Sequence, residues 1–401
     1  MPVPVPRLRL SRRLPWEHPL NRLTQATAER AARHLPVIDL TETNPTRVGL
    51  PYPEEELAEL LRRGAAPDYQ PHPLGIPAAR EALAAALSTP SDAVSPDDLV
   101  LTASTSESYS HLFKLFADPR DEVLTAAPSY PLLDSLAALD SLVLGHFHLA
   151  PGRGFALDPE AVELALSPRT RLLALIHPGN PTGRFLSAQE QEAVDALCAS
   201  RGLPLISDEV FADYFLAEDS FRDDSHRAGP AAASGEALSF SLGGLSKSAG
   251  LPSWKLGWIR AGGPLGLRRQ ALAALELVAD SYLSVASPVQ RALAGVLALA
   301  PRIRAAILGR VRENLAMLRA ALAGHPAVEL LEPEGGWSAV LRVCRPVSDE
   351  ELVLELLDRA GVLVHPGYFF DFATEDFLVV SLLPELTRFA AGVRLVAEYL
   401  A

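Results

Sequence analysis

The sequence predicts an α/β fold, in which a large, doubly wound, mostly parallel sheet domain is followed by a smaller α+β domain. Two observations carry this prediction. From about residue 78 to about residue 265, short apolar segments alternate with stretches of helical periodicity, and such alternation is typical of βαβ units. Several of the apolar segments contain no alternating polar residues, which is expected of strands that are buried on both faces of a sheet.

The predicted elements follow one another in a simple order. Residues 21–34 predict a helix and residues 37–40 a short strand. Ser187 and Glu190 have the spacing of a capping box, which predicts a helix over residues 189–200. The strands predicted for the large sheet are 99–103, 122–126, 142–147, 172–176, 203–207, 237–242 and 256–261.

The pattern changes after about residue 265, where a mostly helical stretch extends to about residue 325. Strands are predicted after it at 328–331, 338–343, 362–365 and 377–382, with a helix opened by Ser348 and Glu351 and a last helix from Glu385. We interpret the domains as 1–45, an N-terminal arm and part of the small domain, 46–285, the large domain, and 286–401, an interdomain helix and the C-terminal small domain.

Composition excludes several classes of function. The formal net charge of −13 argues against wide contact with nucleic-acid phosphates. No apolar run reaches the length of a membrane span, and the proline-rich first 20 residues lack the apolar segment of a signal peptide. Cys198 and Cys344 are far apart and form no metal pattern. We therefore expect a cytoplasmic protein with no metal, no membrane contact and no nucleic-acid partner.

Polar side chains follow four of the predicted strands of the large sheet. Three hydroxyls at residues 104–106 open a helix, Asn180 lies in the loop HPGNPTG (177–183), Asp208 ends a strand, and Lys247 follows another. Taken singly, these residues fit helix caps, an ordinary turn and a surface lysine. Because ligands bind at the carboxyl ends of parallel strands, the four ends together predict an anion site, an amide, a carboxylate and an amine in one place.

This combination suits one kind of chemistry. A neutral lysine attacks carbonyl groups and forms Schiff bases, provided that desolvation or charge coupling lowers its pKa. A carboxylate beside a ring nitrogen keeps that nitrogen protonated, so that the ring accepts electrons. Pyridoxal phosphate requires these groups: a phosphate cradle, an amine for its aldehyde and an acid partner for its pyridinium.

From about Val37 to its C-terminus, the chain resembles a class I/II aminotransferase, which belongs to the fold type I pyridoxal-phosphate enzymes and has an aspartate-aminotransferase-like fold. Three motifs carry the resemblance: NPTG (180–183), the Asp-Glu pair of DEVFADY (208–214), and Ser246-Lys247 with LGW (256–258). Their order and spacing make a chance match improbable.

The resemblance implies a role for each matching residue. Lys247 forms the Schiff base and moves the proton of the substrate α-carbon, Asp208 pairs with the pyridinium nitrogen, and Asn180 binds the phenolic oxygen. Tyr130 matches the aromatic residue that stacks on the ring. The phosphate-binding residues that it implies are Ser104, Thr105, Ser106, Ser246, Lys255 and, from the partner subunit of a homodimer, Tyr69.

The chain also departs from the family's pattern. Phe211 stands where a tyrosine is usual, Lys255 where an arginine is usual, and Gly244 where a hydroxyl is usual. An ammonium keeps the charge of a guanidinium but loses its two-pronged geometry, so a weaker grip on the phosphate is expected.

The largest departure concerns the substrate carboxylate. The family usually has an arginine on the strand that here reads FLVVSLL (377–383), at the position of Val379 or Val380. Other arginines that could bind the carboxylate are Arg47 and Arg184. The aromatic residues that could line an apolar substrate pocket are Trp337, Tyr368, Phe369 and Phe370.

The leading prediction is therefore transamination between an amino acid or amine and an oxo acid. The alternative is a lyase, decarboxylase or cyclase that uses the same cofactor, and the missing arginine favours it. A non-catalytic regulator is disfavoured, because the residues before Val37 are too few for a DNA-binding module. A nucleotide enzyme is disfavoured by the lack of G-x-G-x-x-G and P-loop motifs.

Overall fold

The computed structural model describes residues 8–16, 20–216, 227–233 and 235–401, so part of the predicted N-terminal arm (1–7 and 17–19) lies outside the described residues. Its strands are β1 (Ile38–Asp39), β2 (Leu99–Thr102), β3 (Glu122–Ala127), β4 (Val143–His148), β5 (Thr170–Ile176), β6 (Leu205–Asp208), β7 (Ser239–Gly244), β8 (Gly257–Gly262), β9 (Val328–Leu331), β10 (Ser338–Val343), β11 (Val362–Leu363), β12 (His365–Pro366) and β13 (Phe377–Ser381).

Helices lie between most of these strands. They are α1 (Arg22–Ala32), α2 (Glu54–Gly64), α3 (Pro77–Leu87), α4 (Thr105–Phe116), α5 (Leu132–Leu139), α6 (Pro159–Ala165), α7 (Ala188–Arg201), α8 (Leu245–Ser248), α9 (Leu265–Tyr282), α10 (Ser287–Leu322), α11 (Asp349–Glu355) and α12 (Leu386–Leu400). The predicted capping box is present at α7, where the Glu190 N–H donates to Ser187 Oγ and the Ser187 N–H donates to the Glu190 carboxylate.

The large sheet has the strand order β2-β8-β7-β6-β5-β3-β4. Strand β8 runs antiparallel to both of its neighbours, and the remaining neighbours are parallel. The predicted doubly wound, mostly parallel α/β fold is thus confirmed. The carboxyl ends of β5, β6 and β7 lie side by side, with Ile176, Asp208 and Leu242 in one row across the three strands. This row is one wall of the site described below.

Each central strand of this sheet buries both faces. On β5, Leu172 packs with the cluster that contains Phe113 of α4, whereas its neighbour Leu173 packs with the cluster that contains Val194 of α7. Because successive side chains of a strand point to opposite faces, both faces must be apolar. This geometry explains why the strand sequences show no alternation.

A second, smaller region surrounds an antiparallel sheet of order β12-β13-β10-β9. The strand predicted at 362–365 is two strands instead. Strand β11 pairs in parallel with β1, and β12 pairs with β13, so the chain changes sheets at Val364. The apolar run is continuous in the sequence. It forms two strands because the residues before Val364 hydrogen-bond to one sheet and the residues after it to another.

Helix α10 connects the two regions and is 36 residues long. By length and composition alone, it is the one helix among the described residues that is apolar enough to cross a membrane. Buried helices in the cores of globular proteins meet the same criterion. In this fold α10 packs against α2, α3 and α12, and buries side chains such as Leu293, Ile303 and Leu315.

Candidate active site

A cavity of about 500 Å³ opens at the carboxyl ends of the strands of the large sheet, and β10, β12 and β13 close its other side. The residues predicted for the site that line this cavity are Ser104, Thr105, Ser106, Tyr130, Asn180, Asp208, Ser246, Lys247, Lys255, Trp337, Phe369 and Phe370. Residues that are up to 266 positions apart in the sequence, Ser104 and Phe370, thus meet in one cavity.

Other predicted residues lie elsewhere. Arg47 lies on a separate surface pocket, and Tyr368 is exposed outside the cavity. Arg184 binds the carboxylate of Glu334, with Nη1 at 2.9 Å from both oxygens. Tyr69 is 63% exposed and lies at a different, smaller pocket beside Leu283 and Gln290. None of the four contributes to the cavity within this chain.

The two valines predicted for the carboxylate-binding position of the strand FLVVSLL point to opposite faces of β13. Val379 lines the cavity, whereas Val380 points to the opposite face and joins the core. Within the described part of the chain, no arginine lines the cavity. That Val379 stands where the family has its carboxylate-binding arginine stays a prediction from the resemblance.

The N-terminus of α4 forms one end of the cavity. Ser104 caps the helix by accepting a hydrogen bond from the Glu107 N–H at 3.2 Å, while other N–H groups of the first turn have no partner within a helix. Lys255 and Ser246 line the same cavity. Positive charge, hydroxyls and a helix N-terminus together make a binding site for a phosphate.

Gly257 of β8 permits this arrangement. A Cβ atom at this position would lie 2.9 Å from the Ser104 carbonyl carbon and 3.1 Å from the Thr105 nitrogen. Such contacts are shorter than van der Waals distances, so any larger residue would push the start of α4 away from the sheet. The position of the glycine in the LGW motif is thus explained by steric exclusion of a side chain.

Asp208 lies buried at the end of β6. Burial raises the pKa of its carboxyl to about 6, although hydrogen bonds and the charge of Lys247 act in the opposite direction. The Val210 N–H donates to Oδ1 at 3.2 Å, and the Tyr109 hydroxyl donates to Oδ2 at 3.1 Å. Desolvation is therefore the largest influence on this carboxylate, and two donors hold its orientation.

Lys247 extends into the same cavity from α8, directly after β7. Its Nζ lies 4.6 Å from the centre of the Trp337 ring and 5.2 Å from that of Phe211. Burial lowers the pKa of the amine to about 8, and the charge of Asp208 opposes this shift. The Tyr214 hydroxyl donates to the Lys247 carbonyl oxygen at 2.6 Å, which fixes the backbone at this residue.

Sequence reasoning missed two residues that belong to this site. Tyr109 lies inside α4, where the sequence shows only helical periodicity, yet its hydroxyl reaches Asp208. His365 lines the cavity from β12, in a segment that was predicted only as a strand. Glu209, the second acid of the Asp-Glu pair, points away and accepts hydrogen bonds from the Ala231 N–H and the Ser241 hydroxyl.

Comparison with known proteins decides the family. The family model for aminotransferase class I and II matches residues 37–390 of the chain. The chain belongs to the class I and II aminotransferase family. This aminotransferase is 27% identical over 310 residues to an alanine aminotransferase of Mycobacterium tuberculosis. The matched residues make up 76% of this chain and 71% of that protein. Its relatives support a pyridoxal-phosphate-dependent aminotransferase as its activity.

Two further comparisons bear on fold and reaction. An alanine aminotransferase structure from Pyrococcus furiosus has the same fold, with a TM-score of 0.88 at 22% identity over 98% of this chain and 99% of that one. A relative of a different reaction type is an S-alkyl-thiohydroximate lyase of Arabidopsis thaliana. It is 28% identical to this chain over 247 residues, which make up 61% of this chain and 52% of the lyase.

The residues of the cavity fit pyridoxal phosphate, the cofactor of this family. The cavity offers an anion site at α4, a carboxylate at the end of β6 and an amine of lowered pKa. The glycine at 257 keeps the anion site free of side-chain atoms. An acceptor for a protonated ring nitrogen, a nucleophile for an aldehyde and donors for a phosphate are thus all present.

Proposed function

We propose that this aminotransferase holds pyridoxal phosphate covalently through Lys247 and moves an amino group between an amino acid or amine and an oxo acid. The observation that carries the proposal is the shared cavity: Lys247, Asp208 and the N-terminus of α4 face the same space of about 500 Å³. When bound, the cofactor supplies a carbonyl carbon for an amine to attack and a ring that accepts an electron pair.

Lys247 acts as nucleophile and proton carrier in this proposal. With a pKa of about 8, a useful fraction of its amine is neutral near neutral pH, and a neutral amine both attacks carbonyl carbons and accepts protons. The rings of Phe211 and Trp337 beside Nζ exclude water. The amine is therefore placed to take a proton from a carbon atom bound between it and the small sheet.

Asp208 stabilises positive charge on a ring nitrogen. An ionised carboxylate in a buried setting interacts strongly with a nearby cation, since little water screens the pair. At the other end, the α4 N-terminus, Ser246 and Lys255 hold the phosphate. Asn180 also lines the cavity, and its amide would donate to an oxygen of the ring.

The proposal is tested by a half-reaction. The protein loaded with pyridoxal phosphate is mixed with a series of amino donors, beginning with L-alanine, the donor named for the Mycobacterium tuberculosis relative. Transamination predicts loss of the visible absorption and stoichiometric formation of pyridoxamine phosphate and an oxo acid. If no donor in a broad panel yields pyridoxamine phosphate, transamination is wrong.

A second function is favoured by two specific observations. No arginine among the described residues lines the cavity, and one relative is named as a lyase. A lyase, decarboxylase or cyclase on the same cofactor would release its characteristic product in that assay while the bound pyridoxal phosphate is regenerated. Product analysis of the same mixtures therefore separates the two functions.

The proposed active unit is a homodimer. Tyr69 is exposed and does not reach the cavity of its own chain. Leu283 beside it is exposed too, as are Leu277 and Tyr282 of α9. We propose that a second copy covers them, with Tyr69 reaching the phosphate site of the partner. Sedimentation of the loaded protein as a monomer at micromolar concentration would contradict this. The proposed location is the cytoplasm, supported by the two unpaired cysteines.

Tyr109→Phe tests the donor to Asp208. The variant keeps the buried ring but removes the hydroxyl, so the pKa of Asp208 rises further and less carboxylate is ionised near neutral pH. We expect pyridoxal phosphate to dissociate about tenfold more readily at pH 6.5, and the loss to shrink as the pH rises to 8.5. Spectroscopic titration of the cofactor-free protein measures both affinities.

Tyr52→Phe is the matched control. It removes another tyrosine hydroxyl, which donates to the Gly250 carbonyl oxygen at 2.8 Å, and leaves Asp208 untouched. Its cofactor affinity should keep the pH dependence of the unaltered protein. Equal affinities for Tyr109→Phe and the unaltered protein at every pH would show that the hydrogen bond has no part in holding the cofactor.

A further inference from the structure

The wall of the cavity opposite Lys247 is built by two cross-strand pairs. In the small sheet, His365 pairs with Val379, and Ser338 pairs with Ser381. Val379 and Ser381 are two residues apart on β13, so their side chains share one face. All four residues line the cavity, which gives this wall a defined arrangement of one imidazole, two hydroxyls and one apolar side chain.

His365 is the group of this wall that can become positively charged. Among the described residues that line the cavity, the others that carry or can carry positive charge are Lys247 and Lys255. Lys247 interacts with Asp208, and Lys255 belongs to the anion site at α4. An anionic group of a substrate that reaches the small sheet therefore meets His365 first.

One buried nitrogen atom of this wall and one of the neighbouring Trp337 lack partners. His365 Nδ1 and Trp337 Nε1 are shielded from solvent and form no hydrogen bond with the described residues. The imidazole is packed against Phe369 and Phe370, with ring centres 5.6 and 5.8 Å away. Buried polar atoms are nearly always hydrogen-bonded, so an imidazole on a cavity wall whose Nδ1 has no partner in the described part of the chain is unusual.

Burial favours the uncharged form of this imidazole. Burial lowers the pKa of His365 below its ordinary value, and the negative charge of Asp39 on β1 opposes this effect. Two acids of α11, which packs against β12, are engaged elsewhere. Asp349 accepts from the Tyr368 N–H, and Glu350 pairs with Arg22.

We propose that His365 binds the carboxylate of the amino-acid substrate and takes up a proton from solvent as the carboxylate enters. This inference rests on the proposed function and names its substrate class: amino acids whose carboxylate lies against the small sheet, rather than amines without one. A carboxylate in hydrogen-bond contact stabilises the imidazolium, and the resulting charge-assisted hydrogen bond replaces the missing arginine.

Proton uptake distinguishes this arrangement from binding by arginine. An arginine is charged at all relevant pH values, so the affinity for a carboxylate would be independent of pH. With His365, each carboxylate that binds brings one proton. Above the pKa of the free imidazole, affinity should fall about tenfold for each unit of pH.

The test uses propionate, a carboxylate that has no amino group and cannot react. It is titrated calorimetrically into the loaded protein in two buffers of different ionisation enthalpy, which gives the number of protons taken up. We expect close to one proton per propionate at pH 7.5. His365→Asn should take up none and bind propionate at least tenfold more weakly, and propionamide should bind the unaltered protein equally weakly.

Three controls make the result specific. The measurement is repeated in a Lys247→Ala background, because the amine of Lys247 also titrates in this range. His365→Gln serves as a second variant, and cofactor absorption and thermal unfolding show that both variants fold and load. His148→Asn, which changes an exposed histidine, should behave like the unaltered protein.

Two outcomes would overturn the inference. One is propionate binding by His365→Asn with unchanged affinity and proton uptake, and the other is propionamide binding as tightly as propionate. Neither outcome affects the proposed function, which is judged separately by the formation of pyridoxamine phosphate in the half-reaction.

Discussion

Lys247→Ala is expected to lower the rate of amino transfer by at least about a thousandfold, because the variant lacks both the nucleophile and the proton carrier of the site. The position of Lys247 explains the size of the effect. Burial lowers the pKa of this amine to about 8, whereas an exposed lysine titrates near pH 10.4 and would be almost fully protonated. The rate is measured in single turnovers by cofactor absorbance.

The same position predicts a distinctive pH profile for the unaltered protein. The rate at which the cofactor-free chain attaches pyridoxal phosphate should rise with pH and level off above about pH 8, where the amine of Lys247 is neutral. Lys114→Ala is the matched control, since it removes a lysine on α4 that pairs with Asp140 outside the cavity. If Lys247→Ala takes on the visible absorption of the unaltered protein, the assignment of Lys247 fails.

Asp208→Asn is expected to change activity and stability in opposite directions. Activity should fall at least about a hundredfold, because a neutral amide cannot stabilise a positive charge on a ring nitrogen. The cofactor-free protein should become more stable by about 3 kcal/mol above pH 6. A carboxylate that is buried without its cofactor partner opposes folding, and asparagine has nearly the same shape.

The sign of the stability change follows from the pKa of Asp208. Burial raises this pKa from 3.8 to about 6, so the folded chain holds the proton more tightly than the unfolded chain. Above pH 6 the folded carboxylate is ionised at a cost that asparagine does not incur. The advantage of the variant should shrink between pH 6 and pH 3.8 and vanish below.

Urea unfolding of the cofactor-free protein at pH 4 and pH 7.5 measures this difference. Asp97→Asn, which alters a carboxylate whose side chain is 93% exposed, should show no gain at either pH. A decrease in stability of Asp208→Asn at pH 7.5 would mean that the buried carboxylate stabilises the fold even without its cofactor. Retained activity would remove Asp208 from the proposed mechanism.

The sequence predicts the half of the site that lies on the large sheet. Asn180, Asp208 and Lys247 each follow a strand directly in the chain, and the rule that parallel strands end at one edge brings them together without knowledge of their contacts. The strands themselves are recognisable because their burial on both faces leaves unbroken apolar runs.

The other half depends on contacts that no local pattern encodes. His365 meets Val379 only because β12 pairs with β13 in one register. Tyr109 reaches Asp208 because α4 packs beneath β6, over a sequence separation of 99 residues. Phe369 and Phe370 line the cavity while Tyr368 is exposed, because side-chain directions in the short turn of Gly367–Phe370 follow no simple periodicity.

The placement of lysines has a practical consequence for work with this enzyme. The chain contains only three lysines beside 33 arginines, and two of the three, Lys247 and Lys255, face the cavity. Guanidinium groups stay protonated and do not condense with aldehydes. Excess pyridoxal phosphate thus finds few competing side-chain amines on the protein surface. Reduction with borohydride followed by mass mapping of peptides should therefore identify the reactive residue against very little background labelling.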